Sequence, residues 1–335
     1  MKELLHSLYS LLTSGQDALL VSILTESGSA PRGAGAHMLV GKDGRLTGSI
    51  GGGSIEHQAE QLAGQLLQER RSLLKEYHLS RDLGMICGGE AMVFYQYIPA
   101  DNAYLQEFCA CALHQMELDR DVWLITRLME SGDWQMGLFS REEGLQFLSL
   151  DTNVLQPCLK RFPASFRAGR ADCYVEPIHQ AGRVLIFGCG HVAQALTPLL
   201  TNLGFACWLM DDRPKFAATE LFPAAKRVIC AGFEDIAQHV EIRPADFVVV
   251  MTHGHTSDFI VQKQAMQASP AYIGVIGSKN KVRNISQLLA WEGYDMEEIA
   301  RVHAPIGLPI FAETPAEIAV SIAAQLIQVR AERVR

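Results

Sequence analysis

No stretch of the 335 residues approaches the roughly 20 apolar residues that a bilayer span needs; the runs at 17–24 and 245–251 are far shorter. None of the eight cysteines forms a CxxC pair, and their spacing makes no regular framework. That argues against a disulfide framework, and because Cys207 and Cys230 sit in apolar strand-like runs, buried reduced thiols are expected. Positive charge is not in excess: 29 Lys and Arg against 37 Asp and Glu leave a net charge of −8, so neither nucleic acid nor a membrane is an expected partner. Tandem repeats and low-complexity tracts are also absent. What remains is an ordinary globular composition, 48% hydrophobic and 20% charged, long enough for about two domains with their own cores. The opening residues superficially look like a signal peptide. Glu3 and His6 interrupt them, however, and the spacing of Leu4, Leu5, Leu8, Leu11 and Leu12 is that of an amphipathic helix, so a cytoplasmic location is expected.

The sequence predicts an α/β protein: an N-terminal α+β domain over 1–140, a connecting region over 141–182, and a Rossmann-like doubly wound parallel-sheet domain with a C-terminal helix over 183–335. In the first part, helices are expected at 2–14 and 54–70, strands at 19–25, 91–98, 122–129 and 134–139, and a hairpin around Lys42-Asp43-Gly44. From Arg183 onward, short apolar runs alternate with helical stretches, the pattern of a parallel sheet covered on both faces.

Four constellations could carry chemistry. Gly188-Cys189-Gly190-His191-Val192-Ala193 follows a strand and opens a helix. Its first glycine permits a tight turn, its second lets a pyrophosphate approach the backbone, and its alanine allows close packing. Asp211-Asp212-Arg213 lies about 20 residues on, where a carboxylate could bind ribose hydroxyls. A nucleotide-like or anionic ligand and a purely structural turn both fit this pattern. Gly48-Ser49-Ile50-Gly51-Gly52-Gly53-Ser54-Ile55-Glu56 is a second glycine-dense loop running into a helix, an anion nest or a tight turn capped by Ser54; no Gly-Lys-Ser/Thr follows, so it is no Walker motif. Cys87-Gly88-Gly89 sets a thiol beside small residues, either an approachable thiolate suited to sulfur or metal chemistry or an ordinary turn cysteine. Thr252-His253-Gly254-His255 and Gly277-Ser278-Lys279 should lie at the carboxyl edge of the parallel sheet. There His253, His255 and Asp258 could be read as metal ligands, but alternate histidines on a tight loop make no complete site and hydrogen bonding to a ligand or a neighbouring loop is favoured. Ser278 with Lys279 could hold an anion, or Lys279 and Lys281 are solvated. Thr314-Pro315-Ala316-Glu317 reads as a capping box before a buried helix.

Taken together, residues 27–40, 48–56 and Cys87-Gly88-Gly89 closely resemble the N-terminal signature of the XdhC/CoxI family of molybdenum-hydroxylase accessory proteins. The second half is similar to that family's Rossmann domain through 188–193, 211–214, 252–255, 276–279 and 303–308. The sequence departs from the family pattern at Pro309, Phe311 and Gln325. The resemblance implies a cofactor-binding chaperone more than a turnover enzyme. It would bind molybdenum cofactor, as molybdopterin or its dinucleotide form, and support its sulfuration and insertion into a xanthine-dehydrogenase-type apoenzyme. A cysteine desulfurase and a second copy of the chain are the implied partners. On this reading Arg32, Gly51, Gly52, Gly53, Ser54, Glu56, Gly188, Gly190, His191, Asp211, Asp212, Arg213, His253, His255, Ser278 and Lys279 contact the cofactor, and Cys87 meets molybdenum. The alternative is an NAD(P)-dependent oxidoreductase or a nucleotide-sensing regulator using the Rossmann site.

Overall fold

The computed structural model describes residues 1–28, 33–78, 89–180 and 182–332. Two compact units divide between Gln180 and Ala181.

The first unit carries two five-stranded antiparallel sheets. One has the order β3-β2-β1-β5-β4, built from β1 (Ala18–Ser27), β2 (His37–Gly41), β3 (Gly44–Gly48), β4 (Leu73–His78) and β5 (Glu90–Ile98). The other has the order β8-β7-β6-β10-β9, from β6 (Val122–Met129), β7 (Trp134–Ser140), β8 (Gly144–Gln146), β9 (Ala164–Ala168) and β10 (Ala171–His179). Helix α1 (Lys2–Thr13) turns Leu4, Leu5, Leu8 and Leu12 into a core shared with Leu105 and Phe108 of α3 (Ala103–Glu117) and with Leu20 and Leu124 of the two sheets. That burial accounts for the leucine spacing, since each such side chain contributes about 1.5–3 kcal/mol once removed from water. Helix α2 (Gly53–Glu69) lies on its own core, with Ile55, Ala59, Ala63 and Leu66 against Val21, Met38, Val93 and Tyr95. Gly44 takes a positive φ of 104° directly after the Lys42-Asp43 turn, which explains the Asp-Gly step in the hairpin.

Residues 141–182, expected to form a connecting region, are instead built into the second sheet. The short helix α4 (Thr152–Leu155) and β8, β9 and β10 fall there, and β10 pairs with β6 from Ala171↔Met129 to His179↔Val122. Of the prolines read as linker signals, Pro157 lies in a short 3-10 helix, Pro163 directly precedes β9, and Pro177 sits in β10, next to the register shift of that pair.

The second unit is a six-stranded parallel sheet of β11 (Arg183–Phe187), β12 (Ala206–Asp211), β13 (Arg227–Cys230), β14 (Phe247–Val250), β15 (Tyr272–Val275) and β16 (Val302–His303). Its order, β13-β12-β11-β14-β15-β16, is the doubly wound 3-2-1-4-5-6 arrangement. Alternate residues of β11 feed opposite cores. Val184 and Ile186 face α5 (His191–Asn202) and α9 (Pro315–Glu332); Leu185 and Phe187 face the side holding Phe233 and α6 (His255–Ala268). Two further helices, α7 (Lys279–Trp291) and α8 (Met296–Ala300), complete the layer order. Between β13 and β14 the expected helix is only a three-residue 3-10 turn, Ile236–Gln238, in a segment bracketed by Gly232 and Pro244. At the amino edge of the sheet the buried Arg183 guanidinium grips Asp246, with Nε donating to Oδ1 at 2.8 Å. The C-terminal helix begins as expected: the Glu317 N–H donates to Thr314 Oγ1 at 3.3 Å and its carboxylate accepts the Thr314 N–H at 3.0 Å. Among the described residues no helix is long and apolar enough to cross a membrane.

Candidate functional site

The parallel strands β11 and β14 are direct neighbours, so the loops after Phe187 and Val250 leave the sheet side by side at the point where strand order reverses. The turn is bolted down before any ligand enters: the Met251 N–H donates to Phe187 O and the Gly188 N–H to Met210 O, each at 2.8 Å. Gly188 has φ of 105°, and a Cβ there would lie 2.2 Å from Met251 O. Gly190 differs. Its backbone is extended, and a Cβ would meet nothing within 4 Å. No packing within this unit therefore demands a glycine at 190, whereas close approach of a ligand to the backbone would. Helix α5 starts immediately after it with no side-chain cap, so its N-terminal N–H groups and dipole face open space beside the exposed His191.

The expected ribose carboxylate is already engaged. Asp211 is fully buried; Oδ2 accepts the Cys189 N–H at 2.7 Å and Arg213 Nη2 at 2.8 Å, and Oδ1 accepts the Arg213 N–H at 3.0 Å and Nε at 2.8 Å. Burial opposes its charge, but Arg213 and the two backbone N–H groups outweigh it and hold the carboxyl below the usual range. What this edge offers to a ligand is the partly exposed Arg213, stacked 4.0 Å over the Phe216 ring, and the exposed Asp212. Burial, reinforced by Asp211, pushes the Cys189 thiol up to about 12, so it is an inert core group. The cysteine expectation holds for Cys207, which is buried, and fails for Cys230, which ends β13 at the exposed carboxyl edge.

Across the crevice, Thr252 donates to Asp258 Oδ1 through its N–H at 2.9 Å and its hydroxyl at 2.6 Å, and Lys281 forms an ion pair with Asp258 Oδ2. This buried acid in the first turn of α6 fixes the His253-Gly254-His255 loop and leaves both histidines exposed, with Gly254 at φ 114° opening the helix uncapped. Ser278 caps α7 by accepting the Lys281 N–H at 3.4 Å, and Lys279 is the first residue of that helix. A cavity of about 290 Å³ opens alongside, lined by Gln262, Ile276, Lys281 and Ser286 among others. The residues predicted in the second unit thus gather on one sheet edge.

In the first unit, Gly51, Gly52 and Gly53 take successive positive φ values of 133°, 72° and 62° and deliver the chain into α2. The resulting nest holds the protein's own carboxylate: Glu56 Oε2 accepts the N–H groups of Ile50 and Gly52, each at 3.1 Å, and contacts the Ser49 hydroxyl, while Oε1 contacts Arg45. Burial raises the Glu56 pKa, but Ser49, Gly52, Arg45 and Ile50 together bring it below the usual carboxylate range. Ser54 is exposed and caps nothing; Gly52 is the N-cap. Arg32 and Cys87 lie outside the described residues.

Two polar networks escaped the sequence reading. His37 Nε2 donates to Glu176 Oε2 at 2.7 Å and Nδ1 accepts from the Ser22 hydroxyl at 2.8 Å, joining the two sheets of the first unit; partners 139 residues apart leave no local signal. Gln325 accepts from Tyr272 Oη at 2.6 Å and from the Gly307 N–H at 2.7 Å while its amide nitrogen donates to His303 Nδ1 at 3.4 Å. Burial holds the His303 pKa below its ordinary value.

Comparison with known proteins decides the lineage. A model of the XdhC and CoxI family matches residues 11–78, and a model of the XdhC Rossmann domain matches 184–326. A probable xanthine dehydrogenase subunit from Bacillus subtilis (strain 168) is 30% identical over 331 residues, covering 96% of each chain. This protein belongs to the XdhC and CoxI family. Molybdenum cofactor insertion chaperone PaoD of Escherichia coli (strain K12) is 24% identical across 95% of this chain and 85% of its own. A solved structure described as a xanthine dehydrogenase from Bacillus halodurans superposes with a TM-score of 0.78 at 26% identity, over 98% of this chain and 96% of that one. The XdhC Rossmann match ends inside α9, so the family domain includes the uncapped α5 and the Asp258 network.

Proposed function

We propose that this XdhC-family protein binds molybdenum cofactor as cargo, in its molybdopterin or dinucleotide form, and supports its sulfuration and insertion into a xanthine-dehydrogenase-type molybdenum hydroxylase. The carrying observation is the open space over Gly190 at an uncapped helix start. A phosphate or pyrophosphate fits that position, because among the described residues no side chain caps the helix start. His191, Arg213, His253, His255, Ser278 and Lys279 supply further contacts from the same edge, and Asp212 borders them. Arg32, Gly51, Gly52, Gly53 and Ser54 form a second anion contact, with Glu56 holding that loop in shape. Cys87 provides the thiolate for molybdenum or for transient sulfur, which a cysteine desulfurase supplies. The names of the relatives in Bacillus subtilis and Escherichia coli support the reading. A homodimer in the cytoplasm, handing the cargo to the apoenzyme, completes it.

The competing reading, an NAD(P)-dependent oxidoreductase or nucleotide sensor, is favoured by the 3-2-1-4-5-6 strand order. It is weakened at Asp211, whose oxygens are spent on Cys189 and Arg213 instead of a ribose diol. The deciding measurement is the molybdenum and pterin content of protein purified anaerobically from cells making the cofactor, beside a Cys87→Ala variant. Stoichiometric pterin with molybdenum, and less molybdenum in the variant, is the expected result. Absence of both, together with saturable NAD(H) binding, would overturn the proposal.

A further inference from the structure

Outside both glycine turns, β4 and β5 bring together three side chains that the proposed function does not use. The strands are antiparallel with His78 directly opposite Glu90 and Tyr77 opposite Ala91. Tyr77 and Ala91 are buried on the α2 face of the sheet, so alternation sends Glu76, His78 and Glu90 to the other face. One ligand atom from each of the three lies within 4.8 Å of the other two, and His78 Nδ1 stands 3.1 Å from Glu90 Oε1.

We infer that Glu76, His78 and Glu90 form a binding site for a divalent first-row transition ion, of which Zn²⁺ is the convenient probe. Donor atoms bound to such an ion at about 2.0–2.2 Å sit some 3–3.6 Å apart around it. Glu76 is exposed and the Glu90 side chain half so, and they close the remaining ångström by changing rotamer without disturbing the core. Two carboxylates meet here with no lysine or arginine ion-paired to either among the described residues. Lys75 instead places its ammonium 4.4 Å over the Tyr77 ring. A bound cation relieves that repulsion, and a histidine with two carboxylates is a borderline donor set suited to Zn²⁺, Fe²⁺ or Mn²⁺ more than to Ca²⁺. Three protein donors leave coordination positions for water or a small anionic ligand, so the site is open. The inference is independent of the molybdenum cofactor reading, and neither stands on the other.

The test is calorimetric titration of the chelator-treated full chain with Zn²⁺, repeated with Co²⁺ by absorption spectroscopy. One ion per chain is expected, with affinity falling at least tenfold in His78→Ala, Glu90→Gln and Glu76→Gln and unchanged in His6→Ala, a control at an exposed histidine on α1. Thermal melts of the metal-free variants matching the parent confirm that affinity, not folding, has changed. Glu76→Gln, at an exposed position, keeps the test decisive should the other two melt early. No saturable binding, equal affinity in all variants, or an intense sulfur-to-cobalt charge-transfer band assigning the ion to cysteine would each overturn the site.

Discussion

In the turn at 49–53 the N–H groups of Ile50 and Gly52 converge on Glu56, a carboxylate four residues into the same motif. In the turn at 188–190 a carboxylate from the next strand, Asp211, takes from the turn itself the Cys189 N–H, and the start of α5 has no side-chain cap. Both are glycine-dense loops opening a helix, and in sequence both could receive an anionic group. The structure separates them by where the nearest acid falls. When the acid lies inside the motif it takes two of the nest's N–H groups and makes a rigid loop; when it comes from the end of the next strand, it fastens the turn from below and the helix dipole stays available above. The same contrast recurs within one motif, because Gly188 is required by the chain's own packing and Gly190 is not.

The largest effect expected from breaking this contrast is at Gly188. Gly188→Ala forces a Cβ against Met251 O at a positive φ, and a loss of about 3 kcal/mol or more in chemical denaturation is predicted. Gly190→Ala, in extended backbone and open space, should change stability by less than about 0.5 kcal/mol. The more informative substitution is Gly190→Asp, which sets a carboxylate where the phosphate is proposed. Pterin and molybdenum retained on anaerobic purification should drop about tenfold or more, equivalent to about 1.4 kcal/mol, while the thermal melt of the empty protein stays within a few degrees. Retention equal to the parent would mean that the cargo does not use α5.

Much of this arrangement was legible in the residues. The alternation of apolar runs after Arg183 specifies the parallel sheet, because strands buried on both faces have no polar side to display. The glycine spacing located the turn at its carboxyl edge. Sequence could not show that Asp211 is spent: the Arg213 side chain folds back on a residue two positions earlier, and the Cys189 N–H reaches the same carboxylate from the turn after β11, 22 residues away. Nor did 141–182 read as sheet: β8 is only three residues long, and the alternation of β9 and β10 is carried by small or partly exposed residues and interrupted by Pro177. Helix α3 went unread for the complementary reason. It is buried over much of its circumference, Leu105, Phe108, Cys109, Ala112, Leu113 and Met116 among them, so no polar face marks its period.

Effects smaller than that at Gly188 sharpen the comparison from the self-satisfied side. In Glu56→Gln the amide keeps the shape but loses the charge that Arg45, Ser49 and the two N–H groups hold, and a cost of about 1–2 kcal/mol at neutral pH is expected. Its pH dependence has a definite sign. Because the folded Glu56 pKa lies below its ordinary value of 4.5, the stabilisation is fully present above pH 4.5 and is lost as the pH falls through the folded value. The stability difference between parent and Glu56→Gln should therefore be constant from neutral pH down to about 5 and shrink below it. Asp211, whose pKa is also depressed, falls in the same acid window, so the parent alone cannot apportion the loss and the difference between the two proteins is the quantity to follow. Ser54→Ala completes the series. Since Ser54 caps nothing, the change should stay within about 0.5 kcal/mol, and any loss of retained pterin in that variant would then report direct contact with the cargo at the first turn of α2, not damage to the loop that Glu56 holds.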